Sequence, residues 1–208
     1  MNRHRLPRGV PVRTRLGLWT TALLIAAGLT ATGSSTAVAA PPAPVPRLEL
    51  DRYLGEWHQL AAVPQVFNLN CARDTTATYT LDPTGAIGVH NRCHTWTGGV
   101  DEIRGTATVN DPATNARLHV SFPGIPGQDG REGPTNYIVS ALGPDYSWAL
   151  VTSPSRLSGF VLSRTPSLDA TAWQQIDEEI RIAGQDPCIY LTSPTTGGRG
   201  DVVPLCAR

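Results

Sequence analysis

Few residues in this 208-residue chain are equipped for covalent chemistry. Cys93 stands directly before His94. A thiol beside an imidazole is the pairing that generates a nucleophilic thiolate. The other cysteines are Cys71, Cys188 and Cys206. An even count in an exported chain points instead to two disulfides, which would leave no thiol to react. No C-x-x-C pair is present, so a zinc ribbon or a thioredoxin-type centre has no support. His58, His90, His94 and His119 fall in strand-like runs, mostly at the parity of polar neighbours. No H-x-H pair is available for a metal, and surface histidine is the reading favoured over haem or metal binding. No cofactor is expected. A G-x-S-x-G serine elbow is absent, and the Arg199-Gly200-Asp201 tripeptide in a Gly-rich tail reads as a chance match to an adhesion motif.

The segments around these residues sort into a leader and one domain. Residues 1–15 carry Arg3, Arg5, Arg8, Arg13 and Arg15 and no acid, an apolar run spans 16–29, and small residues end in STAVAAPPAP. These are the three parts of a secretory leader, with cleavage expected at Ala37-Val38-Ala39. The apolar run is short and interrupted by Gly28, so no stable membrane anchor is expected. Neither a lipoprotein cysteine at the cut nor adjacent arginines occur, and the latter argues against twin-arginine export. The expected organisation is a leader at 1–39, a Pro-rich lead-in at 40–47, a domain at 48–194 and a tail at 195–208, in a protein secreted to the extracellular space. Without the leader, twelve arginines face seventeen acids, a net charge of −5 with histidine neutral. That balance disfavours nucleic acid and anionic membrane as partners.

After the leader, β-type runs alternate with turn clusters such as DPTG, NDPATNA and GPD. Strands are expected at about 55–63, 75–82, 86–95, 100–109, 116–122, 136–142, 147–153 and 159–164. The alternation is two-residue: Ala77, Tyr79 and Leu81 oppose Thr76, Thr78 and Thr80, and Leu118, Val120 and Phe122 oppose Arg117, His119 and Ser121. Residues 167–184 break the pattern, placing Leu168, Ala172, Trp173, Ile176, Ile180 and Ala183 at helical spacing, with Ser167 or Asp169 to cap the start and Gly184 the end. A short ninth strand follows at 188–194, and the last residues read as an appendix pinned by Cys206. Eight hairpin-linked strands, then a helix outside, make an all-β, eight-stranded antiparallel up-and-down barrel. Such a barrel is just wide enough for one small ligand. Extending the hairpin around DPTG backwards brings Cys71 near residues 93–96, which favours a Cys71–Cys93 bond and leaves Cys188 to Cys206.

Four stretches carry a family likeness: YLGEWHQLA with Gly55 and Trp57, TATYTL at 76–81, GPDYSWALV with Asp145 and Tyr146, and FVLSRTP with Arg164. In order and spacing they resemble the lipocalins, most closely the bacterial lipocalins related to apolipoprotein D. The resemblance covers about residues 48–194. It implies a barrel closed at one end and open at the other, binding small apolar molecules such as fatty acids and lysophospholipids. It also implies that Trp57 plugs the closed end and that Arg164 packs across it, with Gly55, Asp145 and Tyr146 in structural roles. Bacterial relatives are often anchored lipoproteins, and the anchoring cysteine is missing here.

The interior face is then where a ligand should sit. Its expected lining is Ala61, Val63, Ala77, Tyr79, Val89, Ile103, Ala107, Leu118, Val120, Phe122, Tyr137 and Val139. Small residues mixed with aromatics favour an open, apolar pocket over a filled core. The principal expectation is a secreted carrier or scavenger of a small apolar ligand, a fatty acid, lysophospholipid or similar lipid, and not an enzyme. The alternative is a lipocalin-fold isomerase acting on a bound lipid or polyene.

Overall fold

The computed structural model describes residues 40–208 apart from Thr84 and Gly127; the expected leader lies outside the described residues. A single antiparallel sheet comprises β1 (Gly55–Ala62), β2 (Cys71–Leu81), β3 (Ile87–Thr95), β4 (Val100–Val109), β5 (Arg117–Ser121), β6 (Tyr137–Leu142), β7 (Trp148–Thr152), β8 (Gly159–Ser163) and β9 (Leu191–Thr192). Each of the first seven strands pairs with the next, and β1 pairs with both β8 and β2. The sheet therefore closes into an eight-stranded barrel, which removes its edges. The ninth strand lies outside that circuit, against Ala61 and Ala62 of β1.

Two short elements carry too few residues to leave a periodic signal: helix α1 (Leu50–Tyr53) and a 3-10 turn at Val66–Asn70. Strand β2 begins earlier than expected and bends through two irregularities, between Cys71 and Arg73 and between Arg73 and Thr76. Helix α2 (Ala170–Ile182) starts where the Asp169 carboxylate accepts from the Ala172 N–H at 2.7 Å, and it ends before Gly184 at φ +76°. Residues 188–194 supply only two residues of strand. The tail is pinned by more than Cys206: Thr192 N–H donates to Val203 and Leu205 N–H to Tyr190, burying Leu205. Disulfides join Cys71 to Cys93 and Cys188 to Cys206.

Two apolar clusters result. One fills the barrel, with Trp57, Ala77, Tyr79, Val89, Leu118, Val139, Val151 and Leu162 among its members. The other lies between the outer wall and α2, where Ile176 and Ile180 pack with Ala141, Trp148, Leu150 and Val161. The meander also separates two ends. Helix α1 and the turns at 82–86, 110–116 and 143–147 are at the base, while the connections 63–70, 96–99, 122–136 and 153–158 surround the opposite rim.

Candidate functional site: the barrel interior

The base is built from three separate stretches of sequence. Trp57 is fully buried, and its indole N–H donates to the Tyr53 carbonyl at 2.8 Å. The Arg164 guanidinium lies 3.6 Å above the indole ring, a cation–π contact. Its N–H groups donate to the carbonyls of Glu56 at 2.8 Å, Arg52 at 2.7 Å and Leu54 at 2.9 Å. Desolvation lowers the Arg164 pKa from the usual guanidinium value. Gly55 is required by its φ of +92°, a conformation L side chains rarely adopt, and it lies directly under the Arg164 guanidinium. Asp145 and Tyr146 form a left-handed turn at φ 52° and 60°. The Tyr146 hydroxyl accepts from Glu49 N–H at 2.9 Å, while Arg52 sits 4.3 Å over the Tyr146 ring and 3.6 Å from the Asp145 carboxylate. Together they clamp α1, and α1 carries Tyr53.

Above the plug, Tyr53, Tyr79 and Tyr137 meet. The Tyr53 and Tyr137 hydroxyls are 2.6 Å apart, and those of Tyr79 and Tyr137 are 2.9 Å apart. Tyr53 stacks on Tyr79 with centroids at 5.4 Å and leans on Trp57 at 5.1 Å. Burial raises the Tyr53 and Tyr137 pKa values well above the ordinary phenol value and pushes Tyr79 up to about 12, so all three keep their protons. Three hydroxyl protons serve two bonds, which leaves one O–H of the trio without an acceptor inside it. The cavity beside them, also lined by Leu50, Leu54, Ile87, Ala107, Leu118 and Val120, is about 10 Å³. That is at the lower limit for one water. The floor of the barrel is thus filled, against the expectation of an open pocket.

Of the expected lining, Ala77, Tyr79, Val89, Ala107, Leu118, Tyr137 and Val139 belong to the interior cluster, with Val120 and Phe122 packed against it. Ile103 is half-buried and shares their face through its pairing with Asn91, itself paired with Ala77. Ala61 and Val63 are corrected: both belong to the outer cluster under α2. The cause is a register shift between Gln59 and Ala61. One extra residue in a strand inverts every side chain beyond it. Missed altogether were Tyr53, Val151, Phe160 and Leu162. Strands β7 and β8 are covered on both faces, so WALVT and FVLS give no alternation from which to choose an inward side.

The side chains singled out for chemistry are placed elsewhere. All four cysteines are in disulfides, so Cys93 has no thiol to pair with His94. His90 contacts Glu102 at 3.0 Å on the barrel exterior. His119 departs from the surface expectation: it is buried beneath the 122–136 connection, its ring nitrogens 2.8 Å from the Pro134 carbonyl and 3.0 Å from that of Gly130. No group of three or more His, Cys, Asp or Glu suited to a metal occurs among the described residues. A wider cleft of about 310 Å³ lies outside the barrel, lined by Leu60, Leu168, Trp173, Arg199 and Arg208 among others. Its arginines are engaged, Arg199 with Asp201 and Arg208 with Asp177.

A closed up-and-down barrel with a tryptophan–arginine plug, an apolar interior and one external helix defines a calyx-type binding protein. The comparisons give the family. Residues 48–193 match the family model of the lipocalin-like domain. Temperature-induced lipocalin-1 of Arabidopsis thaliana is 36% identical over 141 residues, covering 67% of this chain and 75% of that protein. The outer membrane lipoprotein Blc of Escherichia coli K12 is 33% identical over 133 residues, covering 64% and 71% respectively. Insecticyanin from Manduca sexta shares the fold, with a TM-score of 0.57 at 17% identity over 80% of this chain and 94% of its own. The chain belongs to the lipocalin family.

Proposed function

We propose that this lipocalin is a secreted carrier or scavenger of a small apolar ligand, a fatty acid, lysophospholipid or similar lipid, held in the upper half of the barrel. The observation that carries this reading is the apolar wall that rises from the tyrosine floor toward the rim, formed by Ala77, Val89, Val139, Val151 and Phe160. Transfer of an acyl chain from water onto such a wall is favourable by about 25 cal/mol per Å². Asn91 supplies a polar point on the same face, because its side-chain oxygen is buried and has no hydrogen-bond partner. A hydroxyl or carboxyl on the ligand can pair with that amide whichever way it is turned. The exported setting is supported by the disulfides. An isomerase built on a thiol has nothing to start from, since both candidate sulfurs near His94 are bonded to each other.

Native mass spectrometry of protein purified without added lipid tests the reading. A bound mass of fatty-acid or lysophospholipid size is expected, as is displacement of a fluorescent fatty acid by oleate. If no such mass co-purifies and the probe does not bind competitively, the carrier reading fails.

A further inference from the structure

The tyrosine floor holds more donors than the protein uses. Tyr53, Tyr79 and Tyr137 are 5%, 6% and 9% exposed. Among the described residues their hydroxyls bond only to one another, Tyr53 to Tyr137 and Tyr79 to Tyr137. Each contact uses one proton, whichever oxygen donates it, so every arrangement leaves a third O–H over. That donor is buried and has no acceptor in the protein, a state that costs stability until something accepts from it. The small cavity of about 10 Å³ touches all three tyrosines, and the rest of its lining is carbon: Leu50, Leu54, Ile87, Ala107, Leu118 and Val120. It has room for about one water-sized atom, and a carbonyl oxygen is no larger. Ala77, Val89, Val139 and Val151 continue the same interior face above it.

We propose that this floor selects a neutral carbonyl compound, an apolar ketone or aldehyde, which enters oxygen first and accepts the spare O–H. The hydrocarbon part then lies along the wall above. Proton count and charge select that end group. A carbonyl brings lone pairs and no proton, whereas an alcohol brings an O–H of its own and restores the surplus. A carboxylate would need a cation. No arginine is among the buried residues described, and the two arginines at the base are committed: Arg164 to the Trp57 ring and three carbonyls, Arg52 to Tyr146 and Asp145. A carboxylate on the floor would therefore be desolvated and unpaired. A free fatty acid takes the reverse orientation, with its head at the rim. The proposal rests on the carrier reading above and adds which end of the ligand goes in and what chemistry that end carries.

The test uses the full chain with methyl tridecyl ketone carrying an isotope-labelled carbonyl, with pentadecane and with palmitate. In the parent protein the infrared carbonyl band of the bound ketone is expected below its position in hexane. The shift should survive Asn91→Leu, which removes that amide as an alternative partner. The variant Tyr53→Phe/Tyr79→Phe/Tyr137→Phe removes all three hydroxyls together, so it strands no partner and keeps the ring shapes. It should abolish the shift and weaken ketone binding about tenfold, the worth of one buried hydrogen bond, with pentadecane unaffected. An unshifted band in the parent overturns the proposal, as does a shift lost in Asn91→Leu or equal ketone affinity in parent and triple variant. Palmitate that weakens as much as the ketone in the triple variant overturns it too, since a carboxylate would then occupy the floor. If the triple variant does not fold, the band in the parent and in Asn91→Leu decides. Failure of all three compounds to bind sinks the carrier reading and this proposal with it. Ketone bound with an unshifted band removes the orientation alone and leaves the carrier standing.

Discussion

Two tryptophans divide this molecule. Trp57 and Trp96 each donate their indole N–H to a backbone carbonyl, at 2.8 and 2.9 Å. Trp57 is 0% exposed at the base and Trp96 is 70% exposed at the rim. The polar requirement of the ring is met equally well in both, so hydrogen bonding does not explain the difference. What differs is what covers the ring. At the base, Tyr53 of α1 and Arg164, just after β8, cover the ring, and the 143–147 turn braces α1 and Arg164. At the rim, the connections hold apolar residues out. Apolar area at the base stabilises the fold, whereas apolar area at the rim contributes little to it and is free for another partner.

The strongest test of that division is Trp57→Ala. It removes a buried ring and leaves the Arg164 guanidinium over an empty floor, so a loss of about 3–5 kcal/mol is expected. Urea unfolding should report it as a lower midpoint at unchanged slope. A loss below about 1 kcal/mol would mean that the base is not the anchor of the barrel.

Next comes the covalent staple at the opposite end. Cys71–Cys93 closes a separation of 22 residues where β2 leaves the rim. Paired replacement by serine is expected to cost about 3 kcal/mol, mostly through the unfolded chain. Hydrogen exchange should then rise first around 66–75 and 91–100, with the base still protected. Uniform loss of protection would contradict a rim held by a bond and a base held by packing.

Tyr137→Phe probes the junction between the two regions. Tyr137 is the shared partner of the Tyr53 and Tyr79 hydroxyls. Removing its oxygen strands two buried phenols beside a cavity of about 10 Å³, at the lower limit for a replacement water. A loss of about 1–3 kcal/mol is expected, measured by the same unfolding curves. A neutral result would indicate that the floor opens to solvent.

The same division governs how much of the molecule was legible in its sequence. The base was legible through the family resemblance, which set Trp57 and Arg164 at the closed end and gave Gly55, Asp145 and Tyr146 structural roles. The hairpin DPTG fixed β2 against β3 and with it the Cys71–Cys93 pairing. The interior lining was legible where one face is wet, as in β2 and β5, and failed at β1, where the shift after Gln59 turns Ala61 and Val63 outward. No residue type announces such a shift. Tyr53 was invisible as a floor residue because four residues of helix leave no periodicity. The polar parity of His119 was correct, yet its burial depends on a connection that folds back over it through carbonyls of Gly130 and Pro134. Cover of that kind is tertiary and has no local signature.

The smallest expected effect bears most directly on the comparison. Leu69→Ser removes a side chain that is 72% exposed and packs in neither apolar cluster. Stability should change by no more than about 0.5 kcal/mol, the usual range for surface substitutions. A leucine in the base of similar size, Leu162, is buried in the interior cluster, and Leu162→Ala should cost about 2–5 kcal/mol. The ratio between the two, read from urea midpoints on one preparation, measures how far the rim's apolar area is excluded from folding. If Leu69→Ser destabilises by more than about 1.5 kcal/mol, the rim loop packs in solution and its apolar area does contribute to the fold.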